Sequence, residues 1–409
     1  MKLLASIPGP QRCLSTFDAS NEIQRNIIAK AVLGLQWTCV RHPMGIPLTE
    51  EQELLRSNIQ RFLRDQYDFE QRLKIIATDE GWSRKHWSAF AELGLCAAPF
   101  LESSAGLGGG SLATMIIMQE FGRHLVVEPY LETVVLAGGL IEEVGSPKQR
   151  QEFLPKIMDG RAVWAPAWAE GHSRHDFSNV ATTARRRGDN FVLSGTKTAV
   201  IGAPWADKLI ISARTSGGQH DRAGVSLFII DRHSANLDLQ GFKTIDDRRA
   251  AELTLRDVHV PADQMLGTEG EGAGALDACR DRAIAALCAE AVGAMSKLNA
   301  STLEYSRTRK QFGVSLGTFQ VLQHRMVDMF VALEEAISLT QHLSLSLVAK
   351  EPHGSKLASV AKAKVGNAAK FIAEQAVQIH GGISKSDELD VGHYFKRIRS
   401  INIQFGDPT

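Results

Sequence analysis

The stretch Ala376–Thr409, AVQIHGGISKSDELDVGHYFKRIRSINIQFGDPT, decides how the chain is read. It opens with Gln378, His380 and the pair Gly381-Gly382 where a helix would end. It continues as a short helix over roughly Val391–Gln404 that carries Lys396, Arg397 and Arg399. It closes on Phe405-Gly406-Asp407-Pro408-Thr409. Paired glycines let backbone amides approach a phosphate closely, and Asp407 offers a carboxylate near the end of the chain.

Upstream of this stretch the apolar period is that of a helix. Ile284, Leu287, Cys288, Ala291, Met295 and Leu298 form one stripe; Phe319, Leu322, Met326, Met329, Leu333 and Ile337 a second; Leu357, Val360, Ala361, Val365, Ala368 and Ile372 a third. With the Val391–Gln404 helix they predict a C-terminal four-helix bundle over 268–409. The preceding part has a different texture. Val180–Thr183, Phe191–Leu193, Lys208–Ala213, Val225–Ile230 and Glu252–Val260 are short runs rich in β-branched and aromatic residues, separated by Gly, Asp, Asn and Ser turns. They predict a middle antiparallel β-barrel or sandwich over 163–267, with no βαβ unit of a dinucleotide fold. Residues 44–162 predict a helical N-terminal domain. Thr49 caps a first helix followed by Glu50 and Glu51, and Trp82–Leu95 and Leu112–Phe121 supply further helices. Gly106–Ser111 (GLGGGS) lacks the lysine of a phosphate-binding loop and reads as a mobile loop. The expected whole is an α+β multidomain chain ordered α, β, α-bundle, with residues 1–43 a non-structural extension.

The 409 residues include 46 Lys+Arg and 46 Asp+Glu, a balance that points away from nucleic acid or anionic membrane as the main partner. No apolar run reaches about 18 residues, so no membrane span is predicted. The five cysteines, Cys13, Cys39, Cys96, Cys279 and Cys288, form no CxxC pair. Free thiols in a reducing cytoplasm are expected, with no metal site.

Arg307, Arg309 and Lys310 fall within four residues of one another at a predicted helix C-terminus. Such a cluster either compensates the helix dipole or clamps a diphosphate, with Arg309 offering a fork to phosphate oxygens. The segment Arg309-Lys-Gln-Phe-Gly313 with Gln320, and the later Gln378-Ile-His-Gly-Gly382, resemble the two FAD-binding signatures of the acyl-CoA dehydrogenase family. Ala91-Glu-Leu-Gly-Leu95, Leu193-Ser-Gly-Thr-Lys197 and Leu255-Arg-Asp-Val-His-Val-Pro261 fall in that family's order as well. The resemblance covers residues 45–409 and is nearest to the branch named for pimeloyl-CoA dehydrogenase small subunits.

The resemblance implies that Arg309, Gln311, Phe312 and Gln320 hold the adenosine diphosphate end of an FAD from a neighbouring subunit. It implies that Gln378, Gly381 and Gly382 approach that FAD from another chain, with His380 as scaffold. It places the flavin ring against Trp168, Ala169 and Ala199. Ala169 and Ile201 stand where the family has Thr, and Ala199 where it has a stacking Trp. The implied partners are an acyl-CoA substrate and an electron-transfer flavoprotein, in a homodimer, a homotetramer or a heterotetramer with a second homologous subunit.

The reaction needs a base for the α-proton of a thioester, and the family supplies a Glu at one of two places. Here Ala283 occupies one and the Phe405–Thr409 segment the other. Asp407, one residue displaced and one methylene shorter, is the expected base, and Asp281 a weaker candidate. Two readings stay open: an active dehydrogenase oxidising an acyl-CoA to the trans-2-enoyl-CoA, or an FAD-binding, catalytically incomplete subunit.

Overall fold

In the computed structural model the described residues are Arg25, Ile28, Ala29 and 47–407. The expected extension over 1–43, those three residues apart, and Pro408-Thr409 lie outside them.

The N-terminal part is helical: α1 (Glu50–Gln66), α2 (Phe69–Ile76), α3 (Arg84–Glu92), α4 (Gly110–His124), a π-helical segment (Leu131–Gly138), α5 (Gly139–Val144) and α6 (Pro147–Met158). Local chemistry sets the starts. The Thr49 hydroxyl accepts from Gln52 N at 3.3 Å while the Gln52 side chain accepts from Thr49 N at 3.1 Å, a reciprocal capping box. Ser146 and Gln149 repeat it at α6, with Pro147 at the first helical position. Gln149 then donates to Asp263 O and Met265 O, tying this helix to the sheet. The glycine-rich segment before α4 is closely packed. A Cβ on Gly106 would lie 2.3 Å from Phe100 O, so glycine is there for close approach and the loop is not the free one expected.

The sheet contains β1 (Trp164–Ala167), β2 (Thr183–Arg187), β3 (Asn190–Ile201), β4 (Lys208–Arg214), β5 (Val225–Asp231), β6 (Leu237–Lys243), β7 (Arg249–Pro261) and β8 (Met265–Leu266), ordered β6-β7-β3-β2-β4-β5-β8 with β1 beside β4. The antiparallel expectation holds for most pairs, with two exceptions: β1 runs parallel to β4, and β2 meets β4 in parallel at Thr183–Arg214. β1 enters straight from the helical part and joins β4 without a hairpin. β2 begins where the sequence places the end of a strand, since residues 180–182 are irregular.

The bundle comprises α7 (Gly272–Thr308), α8 (Gln320–Val348), α9 (Gly354–His380) and α10 (Asp390–Ile403), with a small hairpin of β9 (Lys310–Gln311) and β10 (Val314–Ser315) between the first two. At 37 residues α7 spans roughly 55 Å. It crosses α4 at paired glycines: a Cβ on Gly293 would meet Gln119 O at 1.9 Å, and one on Gly122 would meet Glu290 O at 2.0 Å. One apolar core runs through both helical parts and onto the sheet, and a second fills the sheet's other face.

Candidate active site

A cavity of about 520 Å³ lies where the sheet, the π-helical segment and the end of α10 meet. The sheet contributes Trp168 and Ala169 from the loop after β1, and Thr198, Ala199, Val200 and Ile201 from β3. The π segment contributes Leu131, Glu132 and Leu136. The turn between β6 and β7 adds Thr244, Ile245 and Asp246, and α10 adds Ser400, Ile403, Gln404 and Phe405.

Backbone irregularity aims these side chains. Between Lys197 and Val200 the β3–β7 register shifts, so Thr198 and Ala199 leave the ladder and face the cavity. Ala199 has φ 49°, and two other cavity residues, Arg174 (φ 47°) and Phe405 (φ 56°), share the left-handed region that non-glycines avoid. Strain of this kind clusters at functional sites. The π turn, a rare helix form also met at such sites, carries Glu132.

The loop after β1 is pinned from below. The Lys197 ammonium donates to Glu170 Oε1 at 2.6 Å and to Ser212 Oγ at 3.0 Å, all buried. Glu170 also accepts from Ala181 N and Thr182 N. Burial lowers the Lys197 pKa to about 8. Burial acts to raise that of Glu170, but Lys197 and the amide donors outweigh it and hold it below the ordinary carboxylate value. The expected role of Lys197 was only that of a motif residue; its sequence separation from Glu170 hides the pair.

Three rings close the cavity near the chain's end. Trp168 and Phe405 have centroids 5.4 Å apart, Trp168 and Phe177 5.6 Å, and Phe177 and Phe405 6.5 Å. Phe405 thus closes the cavity wall against Trp168 and Phe177. Asp407 follows it on the exposed side and is not among the cavity-lining residues. It interacts electrostatically with His175, which does line the cavity, and with Lys362. Lys362, on α9, donates to Ile401 O, Asn402 O and Gly406 O at 3.1, 3.0 and 2.8 Å. It caps the C-terminus of α10 and fixes the direction in which Phe405–Asp407 leave it. Its burial lowers its pKa to about 8.

Asp281, the weaker base candidate, is buried and accepts from the Ser355 hydroxyl, with its other oxygen 3.4 Å from Arg280. Its place is the α7–α9 contact and not the cavity, because two residues off register on a helix turns a side chain by more than half a turn.

Beneath the cavity lies a buried charge network that the sequence analysis missed. Arg397 donates to Glu290 at 2.6 and 2.7 Å and to Asp246 Oδ2 at 2.7 Å, and Arg248 donates to Glu132 Oε1 at 3.2 Å. Burial alone would lower the Arg397 pKa and raise that of Asp246. The opposed charges win, raising the first and lowering the second. A stripe of isolated charges far apart in sequence carries no local signal of such a cluster.

The remaining expected residues sit elsewhere. Arg309, Gln311 and Phe312, in the loop after α7, are exposed, as are Gln320, Gln378, Gly381 and Gly382. The two segments are neighbours. His380 stacks on Tyr305 at 4.3 Å, and the Tyr305 hydroxyl reaches His380 O. His380 Nδ1 meets Ala376 O at 2.8 Å, the packed helix-end role expected of it. A Cβ built on Gly381 or Gly382 meets nothing within 4 Å, so both positions are uncrowded, while Gly381 N donates to Val377 O. Phe312 is 93% exposed, with only an edge contact to Phe319 at 6.4 Å.

Comparison with known proteins matches all three parts of the chain. The models of the acyl-CoA dehydrogenase N-terminal, middle and C-terminal domains match residues 49–161, 165–258 and 272–407. The mitochondrial short-chain specific acyl-CoA dehydrogenase of Bos taurus is 30% identical over 321 residues, 77% of each chain. The chain belongs to the acyl-CoA dehydrogenase family. The Acetobacterium woodii caffeyl-CoA reductase-Etf complex subunit CarC is 29% identical over 77% of this chain and 84% of that one. The structure of butyryl-CoA dehydrogenase from Megasphaera elsdenii superposes with a TM-score of 0.82 at 25% identity, over 89% of this chain and 97% of that one.

Acyl-CoA dehydrogenases are FAD-dependent oxidoreductases, and this chain's residues fit the cofactor. Ala169 and Ala199 put small side chains at the cavity, and Gly381, Gly382 and Arg309 are exposed. Among the described residues no helix is long and apolar enough to cross a membrane, and no three His, Cys, Asp or Glu side chains group as a metal site.

Proposed function

We propose that this acyl-CoA dehydrogenase oxidises an acyl-CoA thioester to the trans-2-enoyl-CoA, with Asp407 as the base for the α-proton. The observation that carries the reading is the cavity bounded by Trp168, Ala169 and Ala199 on the sheet side and by the end of α10 on the other. Bound FAD supplies the acceptor for the β-hydride. Trp168, Phe177 and Phe405 exclude water, which strengthens every charge interaction inside. Lys362 holds the Phe405–Asp407 segment at the cavity's edge. Asp407 Oδ takes the α-proton, with His175 beside it.

The flavin site is read as shared between subunits. Trp168, Ala169 and Ala199 belong to the ring of a chain's own FAD. Arg309, Gln311, Phe312, Gln320, Gln378, Gly381 and Gly382 reach the cofactors of neighbours, which accounts for their exposure. Such sharing needs a dimer or a dimer of dimers. Electrons pass to an electron-transfer flavoprotein in the cytoplasm; a relative named as a subunit of an Etf complex supports that acceptor.

A second reading rests on Phe405. A ring where a carboxylate was expected, with Asp407 on the exposed side, fits an FAD-binding subunit that works beside a complete partner. The reductive half-reaction of the purified homo-oligomer separates the two. Turnover abolished in Asp407→Asn supports the first reading; a homo-oligomer inert toward every acyl-CoA, active only with a second homologous chain, supports the other.

A further inference from the structure

We infer that the cavity contains a polar subsite for a hydrogen-bond donor on the acyl tail, so that the substrate is an acyl-CoA bearing a tail hydroxyl or amino group in place of a plain alkyl end. The inference rests on the acyl-CoA dehydrogenase reading above. Glu132 lines the cavity and is 3% exposed. Its Oε1 accepts from Arg248, while Oε2 is buried with no hydrogen-bond partner. Gln404, on a different element, lines the same cavity, and its Oε1 is likewise buried with no partner.

An unpaired buried carboxylate oxygen costs stability, and in a native protein it calls for a reason. Both atoms are acceptors. An alkyl tail satisfies neither, whereas a hydroxyl or an ammonium donates to them. The charge balance points the same way. Three carboxylates, Glu132, Asp246 and Glu290, share the two guanidiniums of Arg248 and Arg397, an excess of negative charge that disfavours a further anion. The surrounding wall of Leu131, Leu136, Phe242 and Ile245 is apolar, which sets the two acceptors apart. A site built to bond a polar group discriminates strongly against an analogue lacking it.

The test uses the full-length FAD-loaded protein and a set of CoA esters: hexanoyl, 6-hydroxyhexanoyl, 6-aminohexanoyl and adipoyl, with the four-carbon series beside them. Dissociation constants are read from calorimetry and from perturbation of the flavin spectrum. A hydroxy or amino ester is expected to bind at least tenfold tighter than the plain ester of the same length, and the dicarboxylic ester more weakly than either. Glu132→Leu is expected to bring the ratio of substituted to plain ester affinity within threefold. Gln404→Leu, which disturbs no buried ion pair, is expected to reduce the same ratio. Plain or dicarboxylic esters binding as tightly as the donor-bearing ones at both lengths would overturn the inference, as would a ratio unchanged in both variants. If plain esters perturb the flavin without any tail preference, the inference fails and the dehydrogenase reading stands. A flavin that responds to no ester overturns both.

Discussion

The Phe405 ring lies 5.4 Å from Trp168, tilted 48° to it, and is held there by a backbone with φ 56°. An aromatic ring thus closes this part of the cavity wall, and the next acid along the chain, Asp407, follows two residues later after Gly406. Replacing Asp407 by Asn is expected to lower kcat about 10²–10⁴-fold, the usual worth of a positioned general base. FAD content should be unchanged. Adding Phe405→Glu to that variant puts a carboxylate in the cavity wall and is expected to recover at least about tenfold of the loss. Stopped-flow flavin bleaching reads both steps.

Lys362 is buried under the same segment, with a pKa brought down from 10.5 to about 8 by burial. Between those values the unfolded chain still binds the proton that the folded chain has released, so folding gains stability as pH rises through the window. Wild type should therefore gain stability relative to Lys362→Met between about pH 8 and 10.5 and show no such trend from pH 6 to 7.5. Lys197, also lowered to about 8, is common to both proteins and cancels in the difference. Urea midpoints across the pH series supply the comparison.

Arg397 is the only bridge between Asp246 and Glu290 among the described ion pairs, joining the β6–β7 turn, α7 and α10. Arg397→Met leaves two carboxylates without that guanidinium in a buried site. The expected loss is about 3–5 kcal/mol, the cost of breaking a buried pair by removing one partner. Denaturant unfolding measures it. A change under about 0.5 kcal/mol, typical of a surface position, would show that the network contributes little.

Gly382 tests the exposed FAD segment independently of the chemistry. Apart from its immediate chain neighbours, nothing lies within 4 Å of a Cβ built on it. Gly382→Val should leave the unfolding free energy of the FAD-free protein within about 0.5 kcal/mol, yet weaken FAD retention on gel filtration. Normal FAD retention would remove this backbone from the cofactor site.

Much of the architecture was legible because it is written in local periods. The three long stripes became α7, α8 and α9, and Thr49 capped its helix as its residue type suggests. Five strands were not legible, and three of them, β8, β9 and β10, are only two residues long. β1 is four residues, all buried, and has no alternation to read; β6 lies at the sheet's edge with Asp238, Gln240 and Gly241 in it. Gly106 looked like loop freedom and is close packing instead. At the site, Trp168, Ala169 and Ala199, singled out only through the family resemblance, line one cavity. Glu132, Asp246, Glu290 and Arg397 did not stand out, since each is a single charge whose partner lies about 100 residues or more away, with no local pattern to join them. Charge pairs of that kind are made by tertiary packing, and no window of sequence contains them.

The central claim is that the Trp168–Phe405 cavity binds an acyl-CoA against FAD and removes its α- and β-hydrogens. Anaerobic titration of the purified yellow protein with acyl-CoAs, following the flavin absorbance near 450 nm, tests it most directly. At least one saturated acyl-CoA is expected to bleach the band, with the trans-2-enoyl-CoA recovered as product and the bleaching slowed in Asp407→Asn. A flavin band left intact by every saturated acyl-CoA, in a homo-oligomer with full FAD content, would contradict it.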